Sequence, residues 1–114
     1  MHYVDGFVAA VKNSRREEYL AFAEKSLPVF KDHGALRVVE TWGDDVPEGE
    51  VTSFTMAVKR EEDESVVFSW VTWASKEARD AGWAKIMEDP RMQGEMPFDG
   101  KRLIHGGFQV IVEG

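Results

Sequence analysis

Residues 65–73 read Ser-Val-Val-Phe-Ser-Trp-Val-Thr-Trp, a run that is apolar on both faces of an extended strand. Val66, Phe68, Trp70 and Thr72 point one way, and Val67, Ser69, Val71 and Trp73 the other. A strand of this kind belongs inside a sheet that is covered above and below. That need limits how one domain spanning residues 1–114 can be built.

Three further strand-like runs surround it. Tyr3–Val11 alternates Tyr3, Asp5, Phe7 and Ala9 on one face with Val4, Gly6, Val8 and Ala10 on the other. Ala35–Trp42 places Leu36, Val38, Glu40 and Trp42 together. Lys101–Glu113 is the longest run, and its Gly106-Gly107-Phe108 echoes Asp5-Gly6-Phe7. The first and last strands are therefore expected side by side in the middle of the protein. Val51–Val58 is apolar but irregular and reads as a short edge strand or an extended arm.

Two segments have helical spacing. Ser14-Arg15-Arg16-Glu17 fits a capping box, and Tyr19, Phe22, Ala23, Ser26, Leu27 and Phe30 form a stripe, predicting a helix over 15–33. Pro28 lies on its polar side and is expected to kink or split it. Ser75 caps a second helix over 76–88, ended by Pro90, with Arg79 inside its apolar stripe. Residues 89–100 carry two prolines and two glycines and form a long loop, a kind that often serves function.

The order strand, helix, strand, strand, helix, strand predicts an α+β, ferredoxin-like βαββαβ fold. Its four-stranded antiparallel sheet carries both helices on one face. The other face would still expose Phe, Trp and Val side chains, which a monomer does not tolerate over several hundred Å². Face-to-face pairing of two sheets covers it, predicting a homodimer closed as a dimeric α/β barrel.

Composition removes several functions. A net charge of −7 without a basic cluster argues against nucleic acid. With no cysteine there are no disulfides or thiolate sites, which fits a reducing, cytoplasmic setting. No apolar run reaches the roughly 20 residues of a membrane span, and the N-terminus lacks signal-peptide character. P-loop, GxGxxG and HExxH patterns are missing, so no metal or cofactor is expected.

A few polar residues stand out. His105, mid-strand, is suited to acid–base work or to orienting a substrate, or is a hydrogen-bonded core histidine. Asp5 on the neighbouring strand could pair with it as a dyad, or as a plain salt bridge in the sheet. Arg79 needs a carboxylate, an anionic ligand or a path to solvent. Asp99 is a further candidate ligand contact, and Trp42 and Trp70 are candidate pocket walls if they are not core.

Several blocks together carry a resemblance: Tyr3-Val4-Asp5-Gly6-Phe7, Gly43-Asp44-Asp45-Val46-Pro47, Thr52-Ser53-Phe54, Phe68-Ser69-Trp70, Asp89-Pro90-Arg91-Met92 and Met96-Pro97-Phe98-Asp99-Gly100-Lys101-Arg102. Over essentially its whole length the chain resembles the small bacterial YbaA-like proteins, a domain-of-unknown-function family within the dimeric α/β-barrel superfamily. The resemblance implies a ferredoxin-like fold and a homodimer, and no particular reaction. Some members carry a label linking them to signal recognition particle RNA, against which the acidic balance of this chain speaks. Two functions follow as expectations: a small-molecule enzyme or binding protein using a pocket of the barrel, or a non-catalytic stress or interaction module.

Overall fold

The two runs with the strongest strand character pair with each other. In the computed structural model, which describes Met1 to Gly114, Tyr3–Lys12 (β1) and Glu64–Trp73 (β3) are antiparallel, with Tyr3 opposite Trp73 and Gly6 opposite Trp70. Arg37–Trp42 (β2) and Ile104–Gln109 (β4) flank them, giving one antiparallel sheet in the order β2-β3-β1-β4. Helices Arg16–Asp32 (α1) and Lys76–Glu88 (α3) lie on one face. The chain has the ferredoxin-like α+β fold. Val29, Phe30 and Ile86 from the helices meet Tyr3, Val71 and Trp73 from the sheet.

Local chemistry explains most boundaries. The Ser75 hydroxyl accepts from the Ala78 amide at 3.0 Å and starts α3. Asp89 accepts from the Arg91 amide at 2.9 Å and starts a short 3₁₀ turn over Pro90–Met92. At the front of α1 the expected cap is not used. Asn13–Arg15 form a 3₁₀ turn directly after β1, Arg15 takes the cap position, and no side chain caps the helix. Ser14 is consumed by the turn that joins strand to helix without a loop. Helix α1 also runs through Pro28 unsplit, with that residue on its exposed side.

Three expectations about the strands are corrected. β4 lies at the edge, so β1 and β3 form the middle of the sheet. β4 also stops at Gln109, which is opposite Tyr3, the first residue of β1. Beyond that point the Val110 amide still donates to the His2 carbonyl at 3.1 Å, after which Ile111 and Val112 are 82% and 86% exposed. The third concerns residues 51–58, which form neither strand nor arm. Ser53 caps a one-turn helix, Phe54–Ala57 (α2), by accepting from the Met56 amide at 3.0 Å. Phe54 rests on Phe68 with ring centroids 5.9 Å apart, and Val58 is fully buried against Ala10 and Val66. So α2 covers one end of the sheet face that α1 and α3 leave open.

The remainder of that face stays bare. Phe68, Ile104 and Phe108 are 40%, 42% and 61% exposed, with Val4, Val8 and Trp70 half-buried among them. Gly6 and Gly106 sit opposite each other there, and the Phe108 ring lies over both.

The tightest contact on the helix side is at Gly82. A Cβ at this position would stand 2.7 Å from the His33 carbonyl oxygen and closer still to the Trp73 ring. We expect Gly82→Ala to destabilise the protein by about 2 kcal/mol or more, because neither backbone nor a fully buried indole can give way. Urea unfolding of the two proteins checks this, and equal midpoints would contradict the packing described.

Candidate functional site

The helices do not rest flat on the sheet. Between them lies a cavity of about 600 Å³. Its floor is the inward phase of all four strands: Asp5, Phe7 and Ala9 from β1, Val38 and Glu40 from β2, Val67, Ser69 and Val71 from β3, His105 from β4. Helix α1 contributes Tyr19, Phe22, Ser26 and Phe30, and α3 contributes Arg79, Asp80, Trp83 and Met87. The loop before β4 closes one side with Met92, Met96, Phe98 and Leu103. Most of this surface is aromatic or aliphatic, as ligand sites generally are. Three methionines add walls that adapt to shape.

Asp5 is 3% exposed and surrounded by donors. Trp73 Nε1 and Trp83 Nε1 donate to Oδ2 at 2.9 and 2.8 Å, and Arg79 donates to both oxygens, closest to Oδ1 at 2.8 Å. The Arg79 guanidinium lies 5.3 Å from the Tyr3 ring centroid and also bonds Asp80 at 3.0 Å. Gly107 faces this group across the sheet, where a Cβ would stand 2.7 Å from the Tyr3 ring and 2.8 Å from the guanidinium. Arg79 thus meets a carboxylate of its own chain and is not left to snorkel outward.

The cross-strand pair expected of Asp5 and His105 is not formed. Asp5 is opposite Gly107, and His105 is opposite Phe7, on whose ring it stacks at 6.4 Å and 26°. The register places them one inward position apart, and the donors of α3 occupy the carboxylate first. His105 remains in the cavity wall, on the edge strand and open to solvent.

Other candidates lie elsewhere. Trp70 is on the outer face beside Phe68, 5.6 Å between centroids. Trp42 is at the rim, 6.0 Å from Tyr19, with Arg16 over its ring at 5.3 Å. Neither lines the cavity; Trp83 does. Asp99 accepts from the Lys101 amide at 2.9 Å and from Arg102 Nε at 3.0 Å. Arg102 also donates to both oxygens of the buried Glu64, at 2.7 and 2.8 Å. The segment Met96–Arg102 is thus clasped to the start of β3, beside a separate polar cleft of about 460 Å³. No cluster of three His, Cys, Asp or Glu side chains is arranged to hold a metal.

One group escaped the sequence reading. Glu40 points into the cavity, where the Tyr19 hydroxyl donates to it. Burial pushes the Glu40 carboxyl above its usual range, with hydrogen bonds from Tyr19 and Ser69 pulling the other way. Burial and the neighbouring Glu40 raise the Tyr19 phenol as well. The signal was present in the strand itself: a carboxylate in phase with Leu36, Val38 and Trp42 on an inward face.

Comparison with known proteins agrees with this architecture. The chain belongs to the family described as Protein of unknown function (DUF1428), whose model matches residues 2–100. It is 58% identical to the uncharacterized protein YbaA of Escherichia coli (strain K12), with 99% of each chain covered, and equally so to YbaA of Shigella flexneri. Among solved structures it is similar to a dimeric ferredoxin-like protein from an uncultured marine organism, at a TM-score of 0.62 and 12% identity over 100% of both chains. The MhuD R26S mutant with two manganese protoporphyrin IX bound per active site gives 0.61 at 15% identity, covering 98% of this chain and 97% of that one. A putative antibiotic biosynthesis monooxygenase from Bacillus cereus gives 0.57 at 10% identity, covering 99% and 96%. At such identities the likeness is one of fold.

Two measurements test the polar clusters. Asp5→Ala leaves a guanidinium and two indole N–H groups without their acceptor, and is expected to lose roughly 3–5 kcal/mol. A loss below about 1 kcal/mol in urea unfolding would show that Asp5 is not the tie described here. Glu64 is lowered from 4.5 to about 2, chiefly by its bonds from Arg102. A depressed carboxylate stabilises the fold above its unfolded pKa and loses that effect as pH falls through the folded one. Melting temperature should therefore drop between about pH 4.5 and 2, and drop less in Glu64→Gln.

Proposed function

We propose that this protein is a homodimer that binds, and acts on, a small apolar molecule in the cavity between its sheet and helices. The observation that carries the reading is the cavity itself. Its volume of about 600 Å³ falls within the roughly 300–1,000 Å³ of small-molecule sites, with mostly apolar walls and few polar groups. His105 is the group assigned to acid–base or orienting work, since it stands at the mouth with its ring stacked only on Phe7. Asp5 and Arg79 hold the floor beneath it and join α3 to β1. The fold is shared with proteins named for porphyrin binding and for monooxygenase activity, which lends analogy but no particular reaction.

The dimer is proposed through the bare sheet face, where Phe68, Trp70, Ile104 and Phe108 need a cover and a second copy supplies a complementary one. A fold neighbour is described as a dimeric ferredoxin-like protein, which supports the same assembly. No helix is long and apolar enough to cross a membrane. A cytoplasmic setting is part of the proposal, and the lack of cysteine is in keeping with a reducing compartment.

Native mass spectrometry of freshly purified protein tests both parts. The expected species has about twice the 12.9 kDa chain mass and carries a non-covalent adduct released on unfolding. A monomer at micromolar concentration overturns the assembly. A dimer that carries no adduct and binds nothing from a small-molecule library overturns the cavity reading in favour of a non-catalytic interaction module.

A further inference from the structure

Of the three carboxylates in the cavity wall, two are matched by cations. Arg79 bonds Asp5 at 2.8 Å and Asp80 at 3.0 Å, and Lys76 reaches Asp80 at 3.3 Å. Glu40 has no cationic partner and only the Tyr19 and Ser69 hydroxyls for company. The lining as a whole sets Asp5, Glu40 and Asp80 against one guanidinium. Glu40 opens onto the cavity and is accessible there, so a ligand's positive charge can reach it directly. Partial burial raises its pKa, so proton loss and cation binding are linked at this group.

Aromatic rings stand on the Glu40 side of the cavity, where the Tyr19 hydroxyl bonds the carboxylate. Tyr19 and Phe98 lie 6.4 Å apart between centroids, and Phe22 meets Phe98 edge-on at 6.2 Å. Aromatic faces attract a desolvated cation through their quadrupole. An anionic head, in contrast, would face an excess of carboxylate whose single arginine is engaged twice over.

Resting on the cavity reading above, we propose that the ligand class is a lipophilic organic cation, with its ammonium or amidinium head at Glu40 and its apolar body along the Met87, Met92 and Met96 wall. Binding sets the charge on Glu40, because the cation favours the ionised carboxylate. Affinity should therefore fall as pH drops and Glu40 takes up its proton. The other titratable groups facing the cavity are Asp5, Tyr19, Arg79, Asp80 and His105. Of these, His105 is the one whose positive charge, when present, would oppose a cation as well.

The test compares three probes of one shape on the intact protein by calorimetry: the aminoacridinium cation, neutral acridine and acridine carboxylate. At pH 7.5 the expected order is cation tightest, anion at least tenfold weaker than the cation, neutral between. Glu40→Gln should weaken the cation at least tenfold and change neutral acridine by less than threefold. His105→Asn should leave a pH dependence that Glu40→Gln removes. If Glu40→Gln fails to fold, the wild-type affinity order still decides. Equal affinity for cation and anion overturns the ligand class while leaving the cavity as a binding site. Failure of all three probes to bind overturns the class and the cavity reading together.

Discussion

The structure hangs on a carboxylate placed inside the sheet. Asp5 sits on central strand β1 and gathers donors from β3 through Trp73 and from α3 through Arg79 and Trp83. A buried carboxylate in this position is tolerable only because every strong donor around it is turned inward. Its neighbours follow from it. Gly107 is bare because the Tyr3 ring and the guanidinium occupy the space a side chain would need, and Gly82 is bare because the Trp73 indole reaches α3. Four elements are thereby fixed around one charge.

That tie lies at one end of the molecule, and the consequence is a core in separate parts. One cluster joins Tyr3, Trp73 and Ile86 near Asp5, and another joins Ala9, Val11, Tyr19 and Val67 near the far end of β1. Between them the helices stand off the sheet, and the cavity fills the gap. The loop before β4 closes the side, held by the chain of contacts from Asp99 through Arg102 to Glu64. The most distinctive segment of the sequence, Met96–Arg102, is therefore a clasp for the cavity wall: its Phe98 and Met96 reach inward while its charges bond the strand start.

The sheet is apolar on both faces, and each face has a different fate. The helix face spends its surface on core and cavity. On the outer face, α2 covers Val66 and part of Phe68, and the rest stays bare. Glu40 and Asp5 show how the same residue type serves differently by surroundings. Asp5 is saturated with donors and ties elements together, whereas Glu40 has hydroxyls alone and stays chemically available.

The elements with regular spacing were readable from residues. The alternation of 65–73, the stripe from Tyr19 to Phe30 and the Ser75 cap each settle a local conformation through local interactions, which need no knowledge of the remainder. Two-sided apolarity also told that the sheet needs covering on both faces. Partner choice was not readable. That Asp5 meets Arg79, with His105 left to Phe7, depends on a register set by the whole β1–β4 ladder. The same holds for the short β4, which ends where β1 begins, and for residues 51–58, whose Phe54 and Val58 find their place only once the outer face of β3 exists. Trp70 and Trp83 are alike in composition, yet strand phase and helix placement send one to the outer face and the other to the cavity. Short-range hydrogen bonding and periodicity determine what each segment is. Contacts between residues far apart in the chain decide which polar groups stand together, and the chemistry of the site belongs to those contacts.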